Sequence, residues 1–202
     1  MGLSKEKEQK LIEIVKQLPV ALRNIETQTE AICLAAVQEN GNALEYVKNQ
    51  TPKICLEAIK RYAPSLRFVK EQTEELCLEA VKRNNRALQY VKDQSDAICS
   101  RAINRSADAL EFVENQTPEI CWKAIEKDYR ALRFVREQTS KLCLEVVKMR
   151  YEALRFVENK TENVCLEAVK ENGSILMFVE ENQTPEVCLM ALLSNKAAYP
   201  YI

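Results

Sequence analysis

Eight cysteines recur along the chain at an almost constant distance, and this period constrains the fold more than any other feature. Successive cysteines are 22 residues apart six times and then 23 residues apart once, with the extra residue at Glu180-Glu181. They are Cys33, Cys55, Cys77, Cys99, Cys121, Cys143, Cys165 and Cys188. A fixed period of roughly 20–50 residues is typical of proteins built from stacked repeats, in which each repeat packs mainly on its neighbours.

Two further columns of residues keep the same period. A threonine or serine precedes each cysteine by four positions, from Thr29 to Thr184. An aromatic residue followed by valine comes 13 positions after a cysteine, at Tyr46, Phe68, Tyr90, Phe112, Phe134, Phe156 and Phe178. We therefore predict a lead-in over residues 1–6 and a single repeat domain over 7–202, with units that start at 7, 29, 51, 73, 95, 117, 139, 161 and 184.

The unit from Thr51 to Gln72 shows what each repeat forms. Thr51 suits a helix N-cap and Pro52 suits the first helical position. Apolar residues then follow at helical spacing, at Ile54, Cys55, Ala58, Ile59 and Tyr62. Turn-forming residues occur near the equivalent of Tyr62 in other units, and a shorter apolar segment follows. The unit thus predicts a helix of about three turns and a second helix of about two.

Helices this short are unstable alone in water, so they must stack on their neighbours. We predict an all-α fold, an αα-solenoid of about nine 22-residue helix-turn-helix repeats that form a right-handed superhelix. The short helix can be partly 3₁₀. A leucine-rich repeat has a similar period, but it needs a strand with Leu-x-Leu spacing and an asparagine column, whereas the apolar pattern here is helical.

The repeat resembles the tandem repeats of a bacterial and viral family called domain of unknown function 4116. Thr117-Pro118-Glu119-Ile120-Cys121 and the segment from Cys165 to Gly173 carry the resemblance, which covers nearly the whole chain. It implies a helical-repeat module without catalytic residues.

Composition narrows the classes of function. The chain has 202 residues, a net charge of -1 and no histidine, so Ser–His and Cys–His catalytic pairs are excluded. Phosphate-binding glycine motifs and closely spaced metal ligands are also missing from the sequence. We therefore expect no enzymatic activity, no cofactor and no metal site. Eight thiols without a signal peptide favour free cysteines packed as small apolar residues in a cytoplasmic protein.

A column of glutamines precedes the threonine column, at Gln28, Gln50, Gln72, Gln94, Gln116, Gln138 and Gln183. A side-chain amide donates and accepts hydrogen bonds at once, so we predict a ladder that ties each loop between units to the next unit. Lys160 interrupts the ladder. A solvated polar column is the alternative.

Residues that depart from the repeat consensus are candidates for function. A basic row occupies one repeat position through the middle of the chain, at Arg61, Arg83, Arg105 and Lys127. Trp122, Tyr129 and Tyr151 lie near this row in sequence. Tyrosine, tryptophan and arginine dominate interface hot spots. The predicted partner-binding residues are Arg61, Arg83, Arg101, Arg105, Trp122, Lys123, Lys127, Tyr129, Arg130, Arg150 and Tyr151. Alternatively, the basic side chains are solvated without a partner, and Trp122 only fills the core.

The sequence thus predicts a scaffold that binds another protein, and its basic middle indicates an acidic segment on that partner. The first alternative is nucleic-acid binding along Arg61, Arg83, Arg105 and Lys127. The second is a structural protein that self-assembles through its ends, for which the apolar C-terminal end predicts a homodimer. The predicted self-association residues are Leu189, Leu192, Leu193, Tyr199, Tyr201 and Ile202.

Overall fold

A computed structural model describes residues 3–179 and 181–202. In these ranges the chain is all-α: nine α-helices alternate with nine 3₁₀ helices, and there is no strand. The α-helices are α1 (Lys5–Gln17), α2 (Glu30–Glu39), α3 (Pro52–Arg61), α4 (Glu74–Arg83), α5 (Asp96–Arg105), α6 (Pro118–Lys127), α7 (Ser140–Met149), α8 (Glu162–Glu171) and α9 (Pro185–Ser194). The 3₁₀ helices are η1 (Pro19–Asn24), η2 (Gly41–Tyr46), η3 (Ala63–Phe68), η4 (Asn85–Tyr90), η5 (Ala107–Phe112), η6 (Tyr129–Phe134), η7 (Tyr151–Phe156), η8 (Gly173–Phe178) and η9 (Lys196–Tyr201).

The predicted pairing of a longer and a shorter helix is confirmed in every repeat. The second helix is a 3₁₀ helix of six residues, which is two turns at three residues per turn. The first helix differs from the prediction, because α1 begins at Lys5 and is capped by Ser4, two residues before the expected start of the first unit.

The threonine and serine column starts the helices. In α3 the Thr51 hydroxyl accepts a hydrogen bond from the Ile54 amide, and Pro52 occupies the first turn, where its missing N–H is no loss. The same cap begins α2, α4, α5, α6, α7 and α9. The repeat period therefore sets where each α-helix begins.

The core lies between the α-helices and the 3₁₀ helices. Ile54, Cys55, Ala58 and Ile59 of α3 are buried, as is Leu66 of η3. Because the buried sides of the two helices face each other, their exposed sides form two separate surfaces of each repeat. Those surfaces are where a partner can bind.

The cysteines are free, and they pack in this core as predicted. Seven are buried and Cys188 is half-buried. Burial raises the pKa of the Cys33 thiol to about 11. A thiol with so high a pKa stays protonated near neutral pH and is a poor nucleophile.

The chain divides into two compact units, one ending at Asn115 and the other beginning at Gln116. In the first unit α1 to α5 pack in chain order, each on the next. In the second unit α7 packs on α8 and α8 on α9, while η6 to η9 pack in the same sequential way. Sequential packing of this kind is that of an α-solenoid. The right-handed superhelix and the single domain over 7–202 stay predictions.

Residues 3–179 and 181–202 contain neither a membrane-spanning helix nor a metal-binding group of side chains. No helix among them is long and apolar enough to cross a membrane. Among the same residues, no three cysteine or acidic side chains are grouped so that they could hold a metal ion.

Candidate partner-binding surfaces

The glutamine ladder is confirmed, and it shows how neighbouring repeats are joined. The Gln72 amide nitrogen donates to the carbonyl of Leu66 in its own repeat (3.1 Å) and to that of Tyr90 in the next (2.8 Å). The amide oxygen accepts from the Lys92 backbone N–H (3.0 Å) and from the Cys77 thiol (3.6 Å). One side chain thus satisfies two carbonyls, one amide and one thiol at the joint between repeats.

The same four contacts recur at other glutamines within each unit. They are present at Gln28, Gln50, Gln94 and Gln138. Within each unit, these glutamines therefore join successive repeats by hydrogen bonds.

Lys160 interrupts the ladder as expected, and the structure shows what replaces the glutamine. The Asn182 amide nitrogen donates to the Lys160 carbonyl (2.6 Å), and the Cys165 thiol donates to the same carbonyl (3.4 Å). Gln183 instead donates to the Val179 carbonyl (2.7 Å). The lost glutamine thus precedes the one longer spacing between cysteines, from Cys165 to Cys188, and a side chain from that longer interval, Asn182, reaches back to it.

In the first unit, three arginines of the predicted basic row donate to backbone carbonyls in the last turn of the preceding α-helix. These bonds join Arg61 Nε to Glu39 O (3.1 Å), Arg83 Nη1 to Lys60 O (3.1 Å) and Arg105 Nη1 to Lys82 O (3.0 Å). The carbonyl end of a helix carries partial negative charge, so a cation there is stabilising. The basic row therefore helps to stack the repeats.

Arg83 has an acidic partner as well. Its Nε lies 2.6 Å from Glu79 Oε1. Partial burial acts to raise the pKa of the Glu79 carboxyl, but the hydrogen bond from Arg83 and the nearby positive charges outweigh it and lower the pKa. Arg101 is exposed on α5. Partner binding by Arg61, Arg83 and the other basic residues of this unit stays a prediction.

In the second unit, α6 carries three of the predicted contact residues. Trp122 and Lys123 are half-buried, and Lys127 is exposed. Trp122 stands at a repeat position where Leu144 and Leu166 are also half-buried. Trp122 therefore adds aromatic area at a position that the repeat leaves partly open to solvent, and both partner contact and core filling by Trp122 stay predictions.

The two predicted tyrosines lie in the 3₁₀ layer of the second unit. The rings of Tyr129 and Phe156 are 6.2 Å apart with an angle of 52° between their planes. The Arg130 guanidinium carbon lies 5.7 Å from the centre of the Tyr129 ring. The Tyr151 hydroxyl accepts a hydrogen bond of 3.2 Å from the Asn172 amide. Both tyrosines are half-buried and held by the following repeat, whereas Arg150 is exposed.

The structure adds arginine–aromatic pairs that the sequence reasoning missed. Arg133 lies over Phe134 (4.6 Å), and Arg155 lies over Phe178 of the next repeat (4.7 Å). The members of the aromatic column mark the period of the repeat, and they are also half-buried. The signal was the dipeptide Arg-Phe at the end of a 3₁₀ helix, which recurs at Arg67, Arg133 and Arg155.

The predicted self-association residues lie on α9, on η9 and at the residue after η9, and five of the six are exposed; we refer to them together as the C-terminal apolar face. The exposed fractions are 59 % for Leu189, 73 % for Leu193, 76 % for Tyr199, 39 % for Tyr201 and 56 % for Ile202. Leu192, in the same helix, is half-buried. Burial of these side chains in a second copy stays a prediction.

Comparisons with known proteins returned no match for this chain. No protein-family model matches it, and neither does any curated protein or solved structure. The resemblance to domain of unknown function 4116 stays a prediction. The function must therefore be argued from the surfaces described above.

Proposed function

We propose that the chain is a non-enzymatic scaffold that binds another protein, and that the unit beginning at Gln116 provides the main contact surface. One observation carries the proposal: Arg130 lies over Tyr129, and Tyr129 packs on Phe156 of the next repeat. These residue types dominate interface hot spots. Because the repeats hold them in place before binding, little conformational entropy is lost when a partner docks.

Further residues of the same unit extend the proposed surface. Trp122 and Lys123 present a half-buried aromatic ring and a positive charge on α6, and Tyr151 follows Arg150 at the start of η7. Cations beside aromatic rings favour a partner that carries an acidic segment. The buried free thiols favour a reducing compartment, so we place the interaction in the cytoplasm.

Nucleic-acid binding along the basic row is less well supported. Arg61, Arg83 and Arg105 already donate to helix carbonyls, and a phosphate chain would compete for those donors. The net charge of -1 also gives little long-range attraction for a polyanion. Binding of a protein is therefore the function that we propose.

A pull-down from a lysate of the source organism tests the proposal. The tagged chain is compared with a Trp122→Ala/Tyr151→Ala variant, and both eluates are analysed for protein and nucleic acid. The control is Leu56→Ala/Tyr62→Ala, in which Leu56 occupies the repeat position of Trp122 and Tyr62 is an exposed tyrosine of the other unit.

We expect one stoichiometric protein that is lost with Trp122→Ala/Tyr151→Ala and kept by the control. Circular dichroism must show that both variants are folded. Nucleic acid that binds both variants equally and elutes at moderate salt would contradict the proposal and favour the basic row.

A further inference from the structure

Five residues on three successive 3₁₀ helices of the second unit form one connected surface, which we name the arginine platform: Tyr129, Arg130, Arg155, Phe156 and Phe178. Arg130 lies over Tyr129 (5.7 Å), and the Tyr129 ring packs on Phe156 (6.2 Å). Arg155, the neighbour of Phe156 in sequence, lies over Phe178 (4.7 Å). Both arginines are exposed and the three rings are half-buried.

Stacking on a ring prepares a guanidinium group to bind a carboxylate. The ring attracts the cation and restricts its position, while the N–H groups at the edge of the planar guanidinium can still donate. An arginine held in this way loses less side-chain entropy when it forms a bidentate pair with a carboxylate.

The acidic neighbour of Arg130 competes only weakly for it. Arg130 Nη1 lies 4.0 Å from Asp128 Oδ2, and the Arg130 side chain is 59 % exposed. Exposed pairs at such distances contribute at most about 1 kcal/mol, so a well-placed carboxylate of a partner can replace Asp128.

We propose that the arginine platform binds two carboxylates of an acidic segment of the partner protein, one at Arg130 and one at Arg155. The inference rests on the proposed protein-binding function and specifies the chemistry that the partner presents. Because the two arginines lie on successive 3₁₀ helices, η6 and η7, the carboxylates come from two different side chains of the partner.

The geometry favours an acidic peptide over a single-stranded nucleic acid. Nucleic-acid platforms of this kind stack bases on open aromatic faces. Here a guanidinium group covers one face of Tyr129 and of Phe178, and the Phe156 ring packs against Tyr129. What the platform offers to a ligand is therefore the N–H edges of its arginines, which form bidentate pairs with carboxylates.

The experiment measures binding of a fluorescent decapeptide of alternating Asp and Glu to the full chain, by fluorescence anisotropy at low salt. The uncharged probe is the matching Asn-Gln decapeptide, and the nucleic-acid probe is a deoxythymidine decamer. The test variant is Arg130→Lys/Arg155→Lys, which keeps both charges but removes the planar fork of donors. In a second measurement, NMR follows the Nε–H signals of the arginines during titration with the acidic peptide.

The repeat itself supplies a matched control. Arg86 occupies the repeat position of Arg130 but follows Asn85, and Arg23 occupies the position of Arg155 but precedes Asn24. Both positions are exposed, and neither guanidinium group lies over an aromatic ring in the part of the chain that the structure describes. The variant Arg23→Lys/Arg86→Lys therefore makes the same two changes without stacked arginines.

We expect the dissociation constant of the acidic peptide to rise about tenfold in Arg130→Lys/Arg155→Lys and to change less than about twofold in the control. The Nε–H signals of Arg130 and Arg155 should shift on titration. The Asn-Gln peptide and the deoxythymidine decamer should bind more weakly than the acidic peptide.

Any of three results would overturn the inference: no binding of the acidic peptide, equal weakening in both variants, or tighter binding of the decamer. The pull-down separates this failure from that of the proposed function. A partner lost with Trp122→Ala/Tyr151→Ala but kept by Arg130→Lys/Arg155→Lys would sustain protein binding and reject carboxylate recognition at the platform.

Discussion

At the scale of single residues, the glutamine column explains how such short helices form a stable array. Each 3₁₀ helix ends with carbonyls that its own turns do not satisfy, and an unsatisfied buried carbonyl is costly. The Gln72 amide nitrogen donates to the carbonyls of both Leu66 and Tyr90, and its oxygen accepts a hydrogen bond from the Lys92 amide. The glutamines therefore hold adjacent repeats in register, while the buried apolar residues provide most of the stability.

We predict that Gln72→Ala lowers the free energy of unfolding by about 2–3 kcal/mol, because it leaves two carbonyls, one amide and one thiol without their partner. Urea denaturation followed by circular dichroism measures the change. The control Gln89→Ala removes an exposed amide that donates only to Arg86 in its own 3₁₀ helix (2.9 Å), and should cost less than about 0.5 kcal/mol. Equal stability of Gln72→Ala and the parent chain would show that the ladder is solvated and does not support the fold.

At the scale of helices, the period predicted the paired helices, their caps and the buried cysteines, since these depend on residues close in sequence. The 3₁₀ geometry of the complete second helix was only partly anticipated. The last carbonyl of that helix accepts a hydrogen bond from the glutamine of the preceding repeat, as the Phe68 carbonyl does from Gln50 (2.9 Å). Sequence patterns describe one helix at a time and do not show those partners.

The candidate surface was predictable to a smaller extent, for the same reason. Tyr129 stood out because it departs from the residues of its column, and Arg130 because it lies next to Tyr129. Arg155 and Phe178 did not, because phenylalanine is the rule in its column and the two residues are 23 positions apart. Their contact appears only when one repeat is stacked on the next.

The turn between the α-helix and the 3₁₀ helix shows how tightly repeats approach each other. A methyl group added at Gly173 would overlap the backbone carbonyl of Ala191 in the following α-helix, and one at Gly41 would lie 2.5 Å from the Ala58 carbonyl oxygen. Neither glycine has a positive φ, so glycine is required here for space and not for backbone conformation.

We therefore predict that Gly173→Ala destabilises the chain by about 1–3 kcal/mol, because η8 and α9 must move apart to admit the methyl group. Asn85→Ala is the matched control: it places alanine at the same repeat position, where a longer side chain is already accommodated, and should cost less than about 0.5 kcal/mol. Thermal denaturation compares the two variants. Similar melting temperatures for both would contradict the close approach of these two helices.

At the scale of the whole molecule, charge and apolar surface have different distributions. Acidic and basic residues nearly balance, with a net charge of -1, so neither repulsion nor attraction between copies is strong. Apolar side chains are concentrated instead on α9 and η9, where Leu193 and Tyr199 are 73 % and 76 % exposed. Several large apolar side chains exposed on neighbouring elements are typical of an interaction site.

The strength of self-association through the C-terminal apolar face depends on two free energies: the gain from burying apolar side chains and the cost of bringing two molecules together. Burial of a large apolar side chain contributes roughly 1.5–3 kcal/mol when it is complete, and the side chains of this face are already partly covered. Association of two molecules costs about 4–15 kcal/mol in lost translational and rotational freedom. A few such side chains from each copy thus exceed the cost only slightly, and we expect a weak dimer.

We predict that sedimentation equilibrium shows a mass above that of the 23.2 kDa chain as concentration rises, and that Leu193→Glu/Tyr199→Glu restores the monomer mass. The charges act by making burial of the face unfavourable. Met149→Glu is the control, because Met149 is 50 % exposed on α7, in the same unit but away from α9 and η9, and its replacement should leave the dimer intact. A parent chain that stays monomeric at the highest concentrations reached would show that this face does not bind a second copy, and protein binding would then depend on the surfaces of the 3₁₀ layer and α6 alone.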